Sequence, residues 1–296
     1  MDDQPAPERT APAPFALSGD ASTLEPLDGA RVLVAVVVNL EHWSLDAPMP
    51  RAALPAPQGV SVVPDVANHS WVLYGLRVGL PRMAAALAPL GTKVAAALNA
   101  EVVDRYPGVA ELVEDLGWEV VAHGLQQRSA HTYDDEAAMV ATTLDRLEAR
   151  FGRPRGWLSP GMSQTDDSLR LLREHGVEFN HDWMIDDRPT WLATAAGPIV
   201  GLPYTLSLND VTTYVVEHQP DGSLAARTRH ALDVQRRESR SNPVVMPIGL
   251  HPHVMGVAHR VEELEAIVDA VTTHDDVRPC RPSEVHDWFT AQVGPS

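Results

Sequence analysis

Short apolar runs that alternate with amphipathic stretches constrain the fold of this 296-residue chain more than any other feature. The first run, VLVAVVV at residues 32–38, has the length and β-branched content of a buried strand and is far too short to span a bilayer. Further strands are predicted within residues 92–98, 118–122, 156–160, 177–183, 199–204, 243–250 and 277–280. Helices are predicted at 76–90, 101–116, 134–151, 165–176, 260–273 and 282–289. Short buried strands that alternate with helices imply a parallel sheet.

Seven or eight such strand–helix units over about 260 residues predict an α/β fold, a distorted (β/α) barrel of about seven strands. We expect one barrel domain at residues 31–296, preceded at 1–30 by a disordered or loosely attached tail that is rich in proline and alanine. Residues 44–70 are rich in proline and small residues and predict a long loop. Long loops inside compact domains are often functional.

Charge and composition narrow the classes of partner. The net charge of −17 and a pI of about 5.1 argue against binding nucleic acid or an anionic membrane, so a small-molecule substrate is expected. Cys280 is the only cysteine, which excludes an internal disulfide and a multi-cysteine zinc site. The acidic, Pro/Ala-rich N-terminus lacks the pattern of a secretory signal, and a cytoplasmic location is expected.

Reactive side chains follow several of the predicted strands. Asn39 and Glu41 end the first strand, where alternation points them to one side and His42 to the other. His123 follows the third strand, and His251 follows the strand at 243–250. In barrels of this kind the chemistry lies at the carboxyl ends of the strands, so these groups are candidate catalytic residues. Each also has an ordinary interpretation, such as a hydrogen-bonded structural histidine or an ion-paired glutamate.

Four other residues are candidate substrate ligands. Arg77 could bind a carboxylate or carbonyl through two hydrogen bonds, or form an ion pair with an acidic side chain. Asn209, together with Asp210, could bind amide groups or close a turn. Asp182 and Trp183 follow the strand at 177–183. Tryptophans at 43, 71 and 183 could line an apolar pocket or pack in the core.

The order of the motifs VVVNLEHW, YGLRVG, GWEVVAHG, RPRGWLSPG, LPYTLSLND and IGLHPHVMGVAHR resembles the polysaccharide deacetylase superfamily, carbohydrate esterase family 4. It resembles most the branch that contains cofactor-independent allantoinases and cyclic-imide hydrolases. The resemblance spans residues 31–290. It implies a distorted barrel, hydrolysis of a C–N bond in an amide, imide or ureide, and a homo-oligomer.

The chain departs from the metal-dependent members of that family. Where they have two aspartates it has Asn39 and Glu41, and where they have a second histidine four residues after His123 it has Gln127. A metal held by Glu41, His123 and Gln127 would bind weakly, because a neutral amide oxygen is a poor zinc ligand. We therefore expect no cofactor, with a divalent ion such as zinc held weakly if it binds at all.

The chemistry expected from these residues is general acid–base hydrolysis. Glu41 would be the base that activates a water molecule, His123 would orient Glu41 or bind the oxyanion, and His251 would protonate the leaving nitrogen. Two alternatives stay open. One is a metal-dependent N-deacetylase of a sugar or a small metabolite, and the other is a catalytically inactive relative that binds a ligand.

Overall fold

A single nine-stranded sheet forms the centre of the molecule. The structure is a computed structural model that describes residues 10–18 and 23–295. Within those residues the strands are β1 (Val32–Leu40), β2 (Val94–Leu98), β3 (Glu119–Ala122), β4 (Gly156–Trp157), β5 (Phe179–Asn180), β6 (Thr190–Leu192), β7 (Ile199–Gly201), β8 (Val244–Leu250) and β9 (Val277–Pro279). They lie in the order β6-β7-β5-β4-β3-β2-β1-β8, and β9 pairs with the start of β1.

The sheet curls into an incomplete barrel. Every pairing is parallel except that of β6 with β7. Strand β8, at one end of the sheet, contacts segments next to β6 and β7 at the other end. The N–H of Val245 donates to the carbonyl of Asp187 at 2.7 Å, and Gly249 forms a bridge with Asn209. The predicted α/β fold with a distorted barrel is confirmed. The antiparallel strand β6 was not expected, because its three residues between two polar turns give no periodic signal.

Strand β1 shows why the core has two layers. Its nine side chains are all buried, because a central strand of a parallel sheet is covered on both faces. Val34, Val36 and Val38 pack in the larger cluster with the surrounding helices. Leu33 and Val37 pack in the smaller cluster, which includes residues from the helix at the C-terminal end of the chain. Alternation continues past the strand, so it fixes which side chains reach the barrel interior.

Helices surround the sheet, most of them on its outer face, whereas the last one packs with the smaller cluster. They are α1 (Val66–Tyr74), α2 (Leu80–Leu87), α3 (Glu101–Arg105), α4 (Pro107–Leu116), α5 (Glu136–Phe151), α6 (Ser168–Glu174), α7 (Ser223–Glu238), α8 (Pro252–Met255), α9 (Val261–Thr272) and α10 (Pro282–Thr290). Among the described residues, no helix is long and apolar enough to cross a membrane.

Two predicted boundaries around residue 70 are wrong. The loop predicted at 44–70 ends at Asp65, whose side chain caps α1 by accepting from the N–H of Asn68 at 3.1 Å. The helix predicted at 76–90 is the second half of a longer helical segment, in which a π-helical turn at Gly75–Gly79 joins α1 to α2. The hydrophobic pattern gave only the half that faces the core.

Helix α7 was missed in the sequence. Its buried positions are Leu224, Ala225, Thr228 and Leu232, a stripe with only two large apolar residues. Arginines and other polar side chains occupy most of its remaining surface. An amphipathic pattern this narrow is hard to distinguish from the sequence of a polar loop.

The division into a tail at 1–30 and a domain at 31–296 stays a prediction, and residues 1–9, 19–22 and 296 lie outside the described part. Several described residues before 31 contact the barrel. Leu24 and Ala30 are buried in the smaller cluster, and the carbonyl of Glu25 accepts from Nε1 of Trp288 at 2.8 Å.

Candidate active site

The carboxyl ends of β1, β3 and β8 bring Glu41, His123 and His251 into one cavity of about 850 Å³. All three side chains are buried. Glu41 lies two residues beyond Asn39 and on the same side of the chain, as alternation predicted. His42 points the other way, and its Nδ1 lies 2.9 Å from the hydroxyl of Tyr106.

Glu41 lies between the two imidazoles. Its Oε1 is 3.7 Å from Nε2 of His123 and 3.6 Å from Nε2 of His251. Its other oxygen, Oε2, accepts a hydrogen bond from Nε1 of Trp43 at 2.6 Å. The Trp43 bond fixes the carboxylate plane and leaves Oε1 free for chemistry.

Each imidazole is oriented by a hydrogen bond at its other nitrogen. Nδ1 of His123 lies 2.5 Å from the carbonyl oxygen of Leu158. A carbonyl only accepts, so Nδ1 carries a proton and Nε2 of the neutral ring is an acceptor. Nε2 is buried and has no hydrogen-bond partner among the described residues. A buried nitrogen without a partner at a cavity wall is placed to meet a molecule in the cavity.

His251 is held by Asp210, a fully buried carboxylate. Oδ1 of Asp210 lies 2.7 Å from Nδ1 of His251, and Oδ2 accepts from the backbone N–H of His251 at 2.6 Å. The two bonds fix both the ring and the backbone. They point Nε2 of His251 into the cavity.

Burial and neighbouring charges set the protonation states of Glu41 and His251. Burial alone raises the pKa of Glu41, but the adjacent His123 imidazole and the positive charge of His251 lower that pKa to about 2. Burial alone lowers the pKa of His251, but the Asp210 carboxylate and Glu41 raise it above the ordinary value. The site therefore holds an ionised carboxylate beside a histidine that favours its protonated form.

His253 is a further histidine of the cavity wall. It is buried, its ring lies edge-on to Trp71 with centroids 4.6 Å apart, and it also contacts Trp43. Burial and the neighbouring charge of His251 lower the pKa of His253 to about 3, so this ring is neutral near pH 7. It forms a largely aromatic wall with the two tryptophans, as the sequence allowed for Trp43 and Trp71.

The glycines of the YGLRVG motif position the histidine segment. A Cβ on Gly75 would lie 2.4 Å from the backbone nitrogen of His253, and one on Gly79 would lie 2.2 Å from the carbonyl oxygen of Pro252. Only glycine allows the π-helical turn and α8 to approach this closely. Arg77 of the same motif is exposed and does not line the cavity.

The structure does not bring two other predicted substrate ligands to the cavity. Asp182 is occupied inside the fold, where it accepts from the N–H of Ser159 at 2.7 Å and from Nδ2 of Asn180 at 3.1 Å. Trp183 donates its Nε1 to Oε1 of Gln164 at 2.9 Å. Both follow a strand end as expected, but neighbouring loops use their polar atoms. Asn209 does line the cavity.

Tyr204 was not predicted as a site residue, and Asp210 was predicted to bind amide groups or close a turn rather than to hold His251. Both lie in the LPYTLSLND segment after β7, where no periodic pattern fixes side-chain direction. Tyr204 lines the cavity, and its hydroxyl contacts the amide groups of Asn39 and Asn209. The sequence signal available for Tyr204 was Gly249, a glycine inside a predicted strand, which suggests a close approach by another group. A Cβ at Gly249 would lie 2.6 Å from the Tyr204 hydroxyl.

Comparison with solved structures identifies the fold. A probable polysaccharide deacetylase from Pseudomonas aeruginosa PAO1 superposes with a TM-score of 0.79 at 25% identity, covering 91% of this chain and 94% of that one. The Puue allantoinase gives 0.80 at 22% identity, with 90% and 93% covered. The chain has the fold of the polysaccharide deacetylases. A putative polysaccharide deacetylase from Mycobacterium smegmatis gives 0.77 at 21% identity, with 92% and 94% covered.

Sequence comparisons add nothing to this: no protein-family model matches the chain, and neither does any curated protein. The match to the deacetylase and allantoinase folds agrees with the resemblance drawn from the motifs. It spans nearly the whole length of each of these three neighbours, so the similarity covers the whole barrel.

Proposed function

We propose that the protein hydrolyses a non-peptide C–N bond in a small amide, cyclic imide or ureide by general acid–base catalysis. The observation that supports this most is the placement of Oε1 of Glu41 at 3.6–3.7 Å from Nε2 of both His123 and His251. The fold shared with a probable polysaccharide deacetylase and an allantoinase supports the same class of reaction.

The nucleophile in this proposal is a water molecule that donates hydrogen bonds to Oε1 of Glu41 and Nε2 of His123. The water oxygen forms a bond to the substrate carbonyl carbon, and one water proton must leave. Glu41 with a pKa of about 2 is a weak base for this step near pH 7. In this proposal, Nε2 of His123 therefore accepts the water proton. Glu41 remains an anion and stabilises the resulting imidazolium. This division revises the sequence-based role of Glu41.

His251 supplies the proton in the second half of the reaction. Its raised pKa favours the protonated ring, and Nε2 faces the cavity. As the C–N bond breaks, the electron pair goes to the nitrogen and Nε2 delivers a proton to it, so the leaving group departs as a neutral amine or amide. The Asp210 carboxylate stabilises the cation before this transfer.

The fold also suggests a divalent metal, and the donor set here does not fit a tightly held zinc ion. Catalytic zinc sites use three protein ligands, usually histidine, carboxylate or cysteine. No three such groups of this cavity have ligand atoms within 4.8 Å of one another among the described residues. Gln127 lines the same cavity as Glu41 and His123, and its buried Oε1 is a neutral oxygen that has no hydrogen-bond partner in the described structure.

Among the described residues, the group of three such side chains with ligand atoms this close together is Glu178, His286 and Asp287, and it lies outside the cavity. Nη2 of Arg155 already bonds both carboxylates of that group, at 2.6 and 2.5 Å. A guanidinium in this position supplies the charge that a cation would bring. We therefore propose that the reaction needs no metal.

Glu41→Gln tests the proposal. The amide has the same shape and can still accept from Trp43, but it lacks the charge that stabilises a protonated His123. We expect loss of about 10²-fold or more in kcat/KM on a panel that includes allantoin, succinimide and an N-acetylated sugar, with an unchanged melting temperature. Glu119→Gln is the matched control, because Glu119 is a half-buried carboxylate at the amino end of β3 that does not line the cavity. A Glu41→Gln protein with wild-type activity would sink the proposal.

Two alternatives stay open as proposals of lower support. A metal-dependent N-deacetylase of a sugar or small metabolite would require Gln127 to complete the ligand set. A catalytically inactive ligand-binding relative would explain Asn39 and Gln127, but it leaves the paired histidines and Asp210 without a purpose. The homo-oligomer and the cytoplasmic location stay predictions.

A further inference from the structure

Among the described residues, the hydroxyl of Tyr204 has only hydrogen-bond donors as partners. Nδ2 of Asn39 lies 3.2 Å from it and Nδ2 of Asn209 lies 3.4 Å from it. If both amide nitrogens donate to the phenol oxygen, the phenol proton must point elsewhere. The orientation of the two amides therefore decides what this hydroxyl can do.

Backbone groups fix both amides independently of Tyr204. Nδ2 of Asn39 also lies 3.2 Å from the carbonyl of Leu250, which can only accept, so this atom is the amide nitrogen. Oδ1 of Asn209 accepts from the N–H groups of Val211 and Thr212 at 3.0 and 3.3 Å, so the Asn209 nitrogen is the atom that faces Tyr204. Neither amide can rotate without losing these bonds.

The hydroxyl can therefore donate its hydrogen bond to a molecule in the cavity. No described residue accepts a hydrogen bond from the hydroxyl, and Tyr204 lines the cavity together with Glu41 and His251. Burial raises the pKa of Tyr204 well above its ordinary value, so the group stays protonated. Its ring lies against Gly249, which holds the oxygen in place.

We propose that Tyr204 is a further catalytic residue that donates a hydrogen bond to the carbonyl oxygen of the substrate, an inference that rests on the proposed function. As water adds, the π electrons of the C=O bond move to oxygen, and the fixed hydroxyl stabilises that charge without transferring its proton. Asn39 and Asn209 are positioning residues. Asn39 is thus the group that aims the oxyanion donor, and its amide suits this role better than a carboxylate would.

Tyr204→Phe removes only the hydroxyl and tests the assignment. On whichever substrate of the panel the wild type hydrolyses, we expect kcat to fall by about 10²–10³-fold with little change in KM, the usual cost of losing one oxyanion donor. Tyr214→Phe is the matched control: Tyr214 is a buried tyrosine that does not line the cavity, its hydroxyl bonds to Glu263, and the variant should keep wild-type kcat. Equal kcat in wild type and Tyr204→Phe would overturn the assignment and leave the proposed function standing.

Asn39→Asp gives a second test, because the two interpretations of Asn39 predict changes in kcat of opposite sign. A carboxylate at 39 would accept the Tyr204 proton and draw it away from the substrate, so kcat should fall. If Asn39 were instead a lost catalytic base, the aspartate would raise kcat, and that result contradicts the inference.

A soak of crystals with succinimide keeps the inference testable if the wild type hydrolyses nothing on the panel. We expect an imide carbonyl oxygen within hydrogen-bond distance of the Tyr204 hydroxyl. Succinimide bound with both carbonyls away from Tyr204 overturns the assignment. Failure of turnover alone counts against the proposed function.

Discussion

At the scale of single residues, the site depends on which proton each imidazole nitrogen carries. The Leu158 carbonyl accepts a hydrogen bond from Nδ1–H of His123 and the Asp210 carboxylate accepts one from Nδ1–H of His251, so the two Nε2 atoms face Glu41. The sequence could indicate Glu41, His123 and His251, because each follows a buried strand. It could not indicate Asp210 as the partner of His251, because that pairing joins residues 41 positions apart through the tertiary fold.

Asp210→Asn tests whether the Asp210 carboxylate keeps His251 protonated as the general acid. Asp210 raises the pKa of His251, and catalysis needs the protonated ring, so activity should decline as pH rises through that pKa. Without the carboxylate charge the pKa of His251 falls, and the alkaline limb of the kcat/KM profile should move to lower pH. The measurement is the pH dependence of kcat/KM in both proteins. An alkaline limb at the same pH in both would show that His251 is not the acid controlled by Asp210.

At the scale of secondary-structure elements, close helix packing places the histidine segment. The sequence drew attention to Arg77 in YGLRVG, but the glycines on either side of it are the residues that contact the site. Gly75 faces the backbone of His253, and Gly79 faces Pro252 and Gly256. A pair of glycines four residues apart, at the start of the helix predicted at 76–90, was the available signal.

Gly79→Ala should disturb both stability and catalysis. Its Cβ would meet the Pro252 carbonyl at 2.2 Å, and backbone cannot move aside as a flexible side chain can. We expect a loss of about 1–3 kcal/mol in the free energy of unfolding and a fall in kcat as α8 shifts. Gly108→Ala in α4 is the control, since a Cβ there meets nothing within 4 Å. It should be neutral or stabilising by up to about 1 kcal/mol in denaturant unfolding. Equal stability of the two variants would contradict this packing argument.

Periodicity predicted the elements that pack on both faces of the sheet and missed those with weak patterns. Strand β1 and helix α5 were found because their apolar spacing is long and regular. Helix α7 and strand β6 were missed because the first has a narrow apolar stripe and the second has three residues. The π-helical turn at Gly75–Gly79 was also missed, since no sequence period distinguishes it from an α-helix.

At the scale of the whole molecule, charge is distributed unevenly between surface and cavity. The chain has 40 acidic against 23 basic residues, yet Glu41 is the only carboxylate that lines the described cavity, where Arg51 and Arg128 also lie. An ionised Glu41, with a low pKa and no other carboxylate at the cavity wall, lies between the two imidazoles, and Asp210 holds His251 from the side away from Glu41. The shared barrel explains why these groups meet, because the ends of its parallel strands lie at one face.

Metal content and chelator sensitivity test the central claim that this site hydrolyses C–N bonds without a metal. The protein would be purified without added metal, its zinc content measured by elemental analysis, and its turnover measured before and after chelation. Gln127→His, which restores a third conventional ligand beside Glu41 and His123, is the comparison. We predict far less than one zinc per wild-type chain, turnover unchanged by the chelator, and zinc retained by Gln127→His. Stoichiometric zinc in the wild type, with activity lost on chelation and restored by zinc, would contradict the account.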